Sequence, residues 1–452
     1  AANLAVVNRI DSPTYSCALH VSFDGGARWQ ATTVPFPAGE QLPARCYAPG
    51  VAFASNGTMY MDFVTLYGIG NSPHAVWLST SHDGGRTLST PVKVAGPLAF
   101  QVSMAVDPSN PSHLYMAWLH ATQTGELLFP NVGNPIVASR STNGGRTWSK
   151  PVQVNLPSRV RVVAPSVAVG AGGRLLVSYL DMGNDALDYN GGSGGMGGPP
   201  YPGPWSLVLA YSNDQGTHWG ETVIDSKVVP YTRFVVFLPP VPSVSVDRAL
   251  HRVYVAFTDA ALGDPDVYVW ASDNNGASFG AGVRVNDTRR HDASAQYLPK
   301  LAVAPDGRLD VLYYDRRTDP ANLLDAVSLQ SSYDGGHTFA PHLVVSDRSF
   351  SSQVAPNSSA NLPDLGSTLA LVSTDTGAVA VWPDTREGTI LSGKQDLGSQ
   401  VISITTPSAW RTPLEALGWV LEGLGLAALV VTGVLWRRRD RPEPSTDGSL
   451  AT

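Results

Sequence analysis

Charge, cysteine and basic surface are all scarce in this chain, and each scarcity excludes a class of protein. Only 15% of the 452 residues are charged and the formal net charge is -7. No basic face suited to nucleic-acid phosphates is visible before the C-terminus, so nucleic acid is excluded as a partner. Two cysteines, Cys17 and Cys46, are too few for a disulfide scaffold or a zinc knuckle and leave room for one bridge. Nothing in the sequence calls for a metal or a cofactor. The sequence opens with neither an initiating methionine nor a signal peptide.

What is abundant points to a large β structure. Hydrophobic residues make up 43% of the chain, enough for a sizeable core, while Gly 44 and Pro 35 demand many turns and leave little scope for long surface helices. One long apolar run stands apart. Leu417 to Trp436 reads LGWVLEGLGLAALVVTGVLW, with Glu422 its single charge, followed at once by RRRDR. Twenty helical residues at about 1.5 Å each span roughly 30 Å of hydrocarbon. Arg437, Arg438, Arg439 and Arg441 mark the cytoplasmic side by the positive-inside rule. The expected organisation is therefore an extracellular domain over 1–404, a linker over 405–416, a transmembrane helix over 417–436 and a disordered basic tail over 437–452 in the cytoplasm. The protein is placed at the cell membrane as a single-pass chain.

Within 1–404 the chain repeats itself. Six octapeptides recur: SFDGGARW from Ser22, SHDGGRTL from Ser81, STNGGRTW from Ser141, SNDQGTHW from Ser212, SDNNGASF from Ser272 and SYDGGHTF from Ser332. The intervals between them are 59, 60, 71, 60 and 60 residues, the period of a stacked supersecondary unit. Three β-like segments precede each octapeptide and one follows it, giving strands A to D of a four-stranded antiparallel unit. Repeated about an axis, such units form a β-propeller, an all-β architecture with short, protected edges.

The octapeptide is then the C–D hairpin. Asp24, Asp83, Asn143, Asp214, Asn274 and Asp334 sit where a side-chain oxygen accepts backbone N–H groups of the turn, and glycines such as Gly26 and Gly85 supply positive φ. The pattern S-x-D-x-G-x-[TS]-[WF] resembles the Asp-box, or BNR repeat, of sialidases and other extracellular propellers. The resemblance implies that these boxes are structural and lie on the face opposite the active site.

Segments of type B and type C number seven each, whereas types A and D number six, because the chain enters at a B strand and leaves after a C strand. Seven blades are favoured, with six as the alternative. Seven need one more D and one more A before residue 1, so an upstream segment of about twenty-five or more residues is expected.

Function is expected in the B–C and D–A loops of the other face. The longest insertion runs from Asp181 to Trp205. YDRRTDP and PDTREG place Asp315 with Arg316 and Asp384 with Arg386 just past strand B, and the D–A loops add Arg233, Arg159, Arg161, Arg289, Arg290, His291 and Tyr297. Arg233, Asp315, Arg316, Asp384, Arg386 and Tyr297 are the candidate ligand-binding residues, since guanidinium groups bind carboxylates bidentately. The same Asp-x-Arg spacing also reads as a blade-to-blade ion pair.

The sialidase resemblance implies an arginine triad, a Tyr–Glu nucleophile pair, an Asp acid/base and a Phe/Tyr-Arg-Ile-Pro motif. Here NRID, from Asn8 to Asp11, matches only Arg-Ile, and Glu is rare in the expected upper loops (Glu40, Glu126, Glu387). No catalytic residue is assigned. The expectation is a membrane-anchored propeller binding a glycan or a cell-surface protein. The alternatives are a sialidase-like glycoside hydrolase (exo-α-sialidase) and an extracytoplasmic assembly or scaffold factor. Three N-x-S/T sites occur, at Asn56, Asn286 and Asn357. The blade scheme brings Cys17 and Cys46 to the same upper rim, which predicts a disulfide between them.

Overall fold

A computed structural model describes residues 3–10, 14–40, 45–68, 72–123, 132–185, 201, 203–230, 240–354, 365 and 368–405. The chain divides into a compact unit, Ala1–Ser403, and a second unit, Ile404–Thr452. The first unit is a seven-bladed β-propeller. Blade 1 holds β1 (Leu4–Ile10), β2 (Ser16–Ser22) and β3 (Gln30–Thr32), and blade 2 holds β4 (Cys46–Phe53), β5 (Met59–Tyr67), β6 (Ser72–Ser81) and β7 (Val92–Ala95). Blade 3 comprises β8 (Ala99–Val106), β9 (Leu114–His120), β10 (Ile136–Ser141) and β11 (Val152–Gln153). Blade 4 comprises β12 (Val162–Val169), β13 (Leu175–Asp181), β14 (Trp205–Ser212) and β15 (Gly220–Val228).

Blade 5 contains β16 (Ser243–Asp247), β17 (Arg252–Asp259), β18 (Asp266–Ser272) and β19 (Val283–Arg284). Blade 6 contains β20 (Gln296–Val303), β21 (Leu309–Asp315), β22 (Leu324–Ser332) and β23 (Leu343–Val344), with the short β24 (Phe350–Ser351) also paired to β22. Blade 7 contains β25 (Ala370–Thr374), β26 (Gly377–Asp384) and β27 (Asp396–Ser403). The first sheet has B, C and D strands and the last has A, B and C, as the strand types in the sequence require.

The linker from residue 406 on, the apolar run 417–436 and the basic tail lie outside the described residues. Among the described residues no helix is long and apolar enough to cross a membrane.

The core lies between the blades. The B strands β5, β9, β13, β17 and β21 are buried almost throughout, because both faces of each meet a neighbouring sheet. Leu19 and Val21 of blade 1 pack with Met59, Met61 and Phe63 of blade 2, and Tyr254 of blade 5 packs with Leu309 and Tyr313 of blade 6. A further clamp joins blades 6 and 7. Arg308, 2% exposed, holds Asp310 with Nε and Nη2 and donates to the carbonyls of Thr374, Asp375 and Gly377. A charge so deeply buried is tolerable only with this full set of partners.

The six repeated turns share one hydrogen-bond scheme. The buried serine hydroxyl accepts the N–H of the glycine four residues on, at 2.8–2.9 Å for Gly26, Gly85, Gly145, Gly216, Gly276 and Gly336. It donates to Oδ1 of Asp24, Asp83, Asn143, Asp214, Asn274 or Asp334. That Oδ1 in turn accepts a backbone N–H four residues further along. The Thr87 hydroxyl together with these bonds holds Asp83, and the His218 N–H and ring together with them hold Asp214, well below the usual carboxylate range. Gly85, Gly145, Gly276 and Gly336 then come up against the preceding blade: a Cβ on Gly145 (φ +81°) would fall 2.2 Å from Cδ2 of Leu78. Gly26 of blade 1 comes up against blade 7 in the same way: a Cβ there would fall 3.4 Å from side-chain atoms of Val379 and Val401.

Asp62 in β5 is 1% exposed, neither carboxylate oxygen has a hydrogen-bond partner, and Oδ1 is pressed against Gly50 of β4. Burial pushes its carboxyl up to about 7. Cys17 and Cys46 form a disulfide that joins β2 of blade 1 to β4 of blade 2, with Cα atoms 5.9 Å apart.

Candidate functional site

Antiparallel order puts the A–B and C–D hairpins at one end of every blade and the B–C loops and D–A connectors at the other. The second end, away from the serine turns, is the upper face, where the candidate ligand residues fall. Four B strands finish there on an aspartate: Asp181, Asp259, Asp315 and Asp384. In each, Oδ1 accepts the N–H two residues on, at 2.9–3.1 Å from Gly183, Ala261, Arg317 and Arg386. The four carboxylates thus cap the turn that leads out of strand B.

Their remaining oxygen lone pairs bind neighbours. Asp315, 1% exposed, accepts Nε of Arg317 at 2.6 Å, the hydroxyl of Ser328 and the amide of Gln296. Asp384, 4% exposed, pairs with Arg386 at 2.5 Å and accepts the indole of Trp382. Arg317 and Arg386 also reach back to Asp287 and Asp347, which follow the D strands of the preceding blades. The Asp-x-Arg spacing is a blade-to-blade tie in both places.

Arg316 and Tyr297 are buried together in blade 6. Arg316 Nε donates to Asp325 at 2.7 Å and Nη2 to Ser352 at 2.6 Å, while the Tyr297 hydroxyl donates to Asp325 at 2.5 Å. Desolvation raises the Asp325 carboxyl despite these donors. Of the six candidate ligand residues, Asp315, Arg316, Asp384 and Tyr297 therefore point into the fold. Arg386 is largely covered by its two carboxylates, and Arg233 lies outside the described residues. The arginines left at the surface are Arg289 and Arg290, on the connector from β19 to β20, with no carboxylate partner among the described residues.

Blade 4 brings together a set that spacing could not find. The Tyr179 hydroxyl lies 2.5 Å from Glu221, Arg159 Nε binds the other Glu221 oxygen at 2.7 Å, and Arg159 Nη1 binds Asp181 at 2.8 Å. Tyr179 is on β13 and Glu221 on β15, so the pair forms across the intervening β14. The chemistry of this set is closed. Burial and the adjacent Glu221 carboxylate hold the Tyr179 phenol far above its ordinary range. Its side chain is fully buried, beyond reach of a substrate. A groove of about 200 Å³ between blades 3 and 4 is lined by Tyr115, Arg140, Lys150, Leu175 and Thr217. It lies at the serine-turn end, where Arg140 already donates to the carbonyls of Asp214 and Gln215.

One glycosylation signal is answered by the same network. Asn286, 2% exposed, accepts the N–H of Val267 and donates to Asp266 and Gln296. Asn155 does the same for Ile136 in blade 3, so this asparagine is a repeated brace of the fold and its side chain is closed to glycan transfer. Asn56 is exposed, and Asn357 lies outside the described residues.

No family model and no curated protein matches the chain. Solved structures do. An ulvan lyase, a polysaccharide lyase, superimposes with a TM-score of 0.52 at 11% identity, covering 88% of this chain and 90% of its own. A protein of unknown function from Dyadobacter fermentans DSM 18053 gives 0.51 at 15% identity, over 82% of this chain and 98% of that one. A Hadza microbial sialidase gives 0.46 at 14% identity, over 86% and 73%. Identities this low establish the shared propeller fold alone.

Proposed function

We propose that this protein is a membrane-anchored cell-surface propeller that binds glycan or protein ligands through its upper face and does not turn them over. The observation that carries this reading is the engagement of the four strand-B aspartates of the upper face with their own neighbours; Asp264, half-buried in the B–C loop of blade 5 with its carboxyl raised by burial, stands apart from them. Asp181, Asp259, Asp315 and Asp384 cap turns, and the Tyr–Glu pair of blade 4 is buried with its phenol protonated. A hydrolase needs a carboxyl or nucleophile free to meet substrate. Recognition needs only a rigid platform with exposed polar groups, and Arg289 and Arg290 supply guanidinium groups suited to an acidic sugar or carboxylate. The likeness to an ulvan lyase, a polysaccharide lyase, supports a polysaccharide as the ligand class. Anchoring through 417–436, with the arginines 437–439 and 441 in the cytoplasm, belongs to the same proposal.

The test is to screen the full chain in detergent against a glycan panel and a fluorogenic sialoside. Saturable binding without turnover, weakened by the Arg289→Ala/Arg290→Ala double variant, supports the reading. Sialoside turnover establishes the exo-α-sialidase alternative instead. Absence of both, with recovery of an assembled membrane protein on the upper face, establishes the scaffold alternative.

A further inference from the structure

On the upper rim of blade 2, three side chains from three separate elements meet. Glu40 comes from the connector between β3 and β4, Tyr67 is the last residue of β5, and His74 stands near the start of β6. His74 Nδ1 lies 2.7 Å from Oε2 of Glu40, and the Tyr67 and His74 ring centroids are 5.3 Å apart.

The sequence produces this meeting through a β-bulge. Pairing between β5 and β6 passes from Thr65↔Ala75 to Leu66↔Pro73, so His74 is the one residue with no opposite number. A bulge of this kind re-aims a side chain that regular alternation would place elsewhere. The connector bearing Glu40 is held at its far end, where Leu66 N–H donates to the carbonyl of Arg45 at 3.0 Å and Cys46 is tied to Cys17. Nearer Glu40, its own N–H donates to the carbonyl of Pro37.

The exposures are graded. The Glu40 side chain is 7% exposed, that of His74 39%, and Tyr67 56%. A nearly buried carboxylate facing Nδ1 fixes the imidazole proton there and turns Nε2 outward. Nε2 has no hydrogen-bond partner among the described residues. An open aromatic face beside an oriented, unsatisfied nitrogen matches the two surfaces of a sugar ring: the C–H face packs on the aromatic and a hydroxyl bonds the nitrogen.

We propose that Tyr67 and His74, with Glu40 as the positioning residue, form a saccharide-binding subsite on the rim of blade 2. The proposal rests on the glycan-binding reading above. Its ligand is a single sugar ring stacked on Tyr67, with one hydroxyl at His74 Nε2.

The experiment measures affinity of the full chain for the best ligand of the glycan panel. Tyr67→Ala and His74→Ala are each expected to weaken binding by at least about tenfold, while Tyr67→Phe, which keeps the ring, stays within about twofold of wild type. Glu40→Gln is expected to weaken binding less than His74→Ala and to change the rate at which ligand-free His74 is acylated, because a neutral amide orients the imidazole less firmly than a carboxylate. Thermal melts check that the variants remain folded. Bound glycan should also protect His74 from acylation by diethyl pyrocarbonate, read by mass spectrometry. Unchanged affinity in Tyr67→Ala and His74→Ala, or no protection of His74, overturns the subsite while leaving glycan binding intact. Failure of wild type to bind any glycan overturns the broader reading.

Discussion

Asp62 makes stability fall as pH rises, and replacing it by asparagine should remove that fall. The folded-state carboxyl is pushed up to about 7 against a usual 3.8, through burial with no hydrogen-bond partner for either oxygen. Between those values the folded protein keeps a proton that the unfolded chain has released. Its stabilising effect is complete below the unfolded value, declines from about pH 4 to about pH 7 and has gone above that. Three pKa units at 1.36 kcal/mol each set a ceiling of about 4 kcal/mol at pH 8. Asp62→Asn carries a neutral side chain at every pH, so it should be more stable than wild type at pH 8, by up to that figure. At pH 4.5 the two should agree within about 1 kcal/mol, the scale of one altered hydrogen bond. Half-buried His20 and His120, whose imidazoles lie below their usual value, act with opposite sign: their cost appears as pH falls below about 6.5. Both are present in the variant, so the difference between the two proteins isolates Asp62. Chemical denaturation at half-unit steps from pH 4.5 to 8.5 supplies the curves. A wild-type minus variant difference that stays constant across that window would refute the reasoning.

Breaking the Arg308 clamp by Arg308→Met leaves Asp310 buried without its counter-charge, held only by the Ser331 and Ser373 hydroxyls, and should cost about 3–5 kcal/mol by denaturation. Adding Asp310→Leu should recover much of the loss. Ser81→Ala strips Gly85 N–H of its acceptor and should destabilise by about 1–3 kcal/mol, with hydrogen exchange accelerated first in that turn. Reducing the Cys17–Cys46 bond, whose ends are 29 residues apart, should cost roughly 3 kcal/mol on the chain-entropy account, read as a lower melting temperature with dithiothreitol.

The seven blades were legible because the octapeptide fixes one corner of each unit and the strand types can be counted from it. The count even showed that the first sheet lacks A and the last lacks D, since β1 begins and β27 ends the pattern. The candidate site was legible only in part. Strand assignment placed Asp315, Arg316, Asp384 and Arg386 at the upper face, but the direction of each side chain depends on which partners reach it. The Tyr179–Glu221 pair forms across a strand lying between them, and 42 residues of sequence separation offer no signal for it. His74 is displaced by a bulge, and one inserted residue reverses the face that alternation predicts. Asn286 carries a glycosylation signal in its sequence and a buried brace in its structure, and only its burial tells the two apart.

The Cys17–Cys46 bond has a mechanical consequence. It ties β2 of blade 1 to β4 of blade 2 across a junction that the polypeptide also crosses, so that junction is fastened twice. A pull that separates those two blades is borne by the covalent bridge, and the residues between the cysteines hang as a slack loop that takes up load only once the bond is reduced.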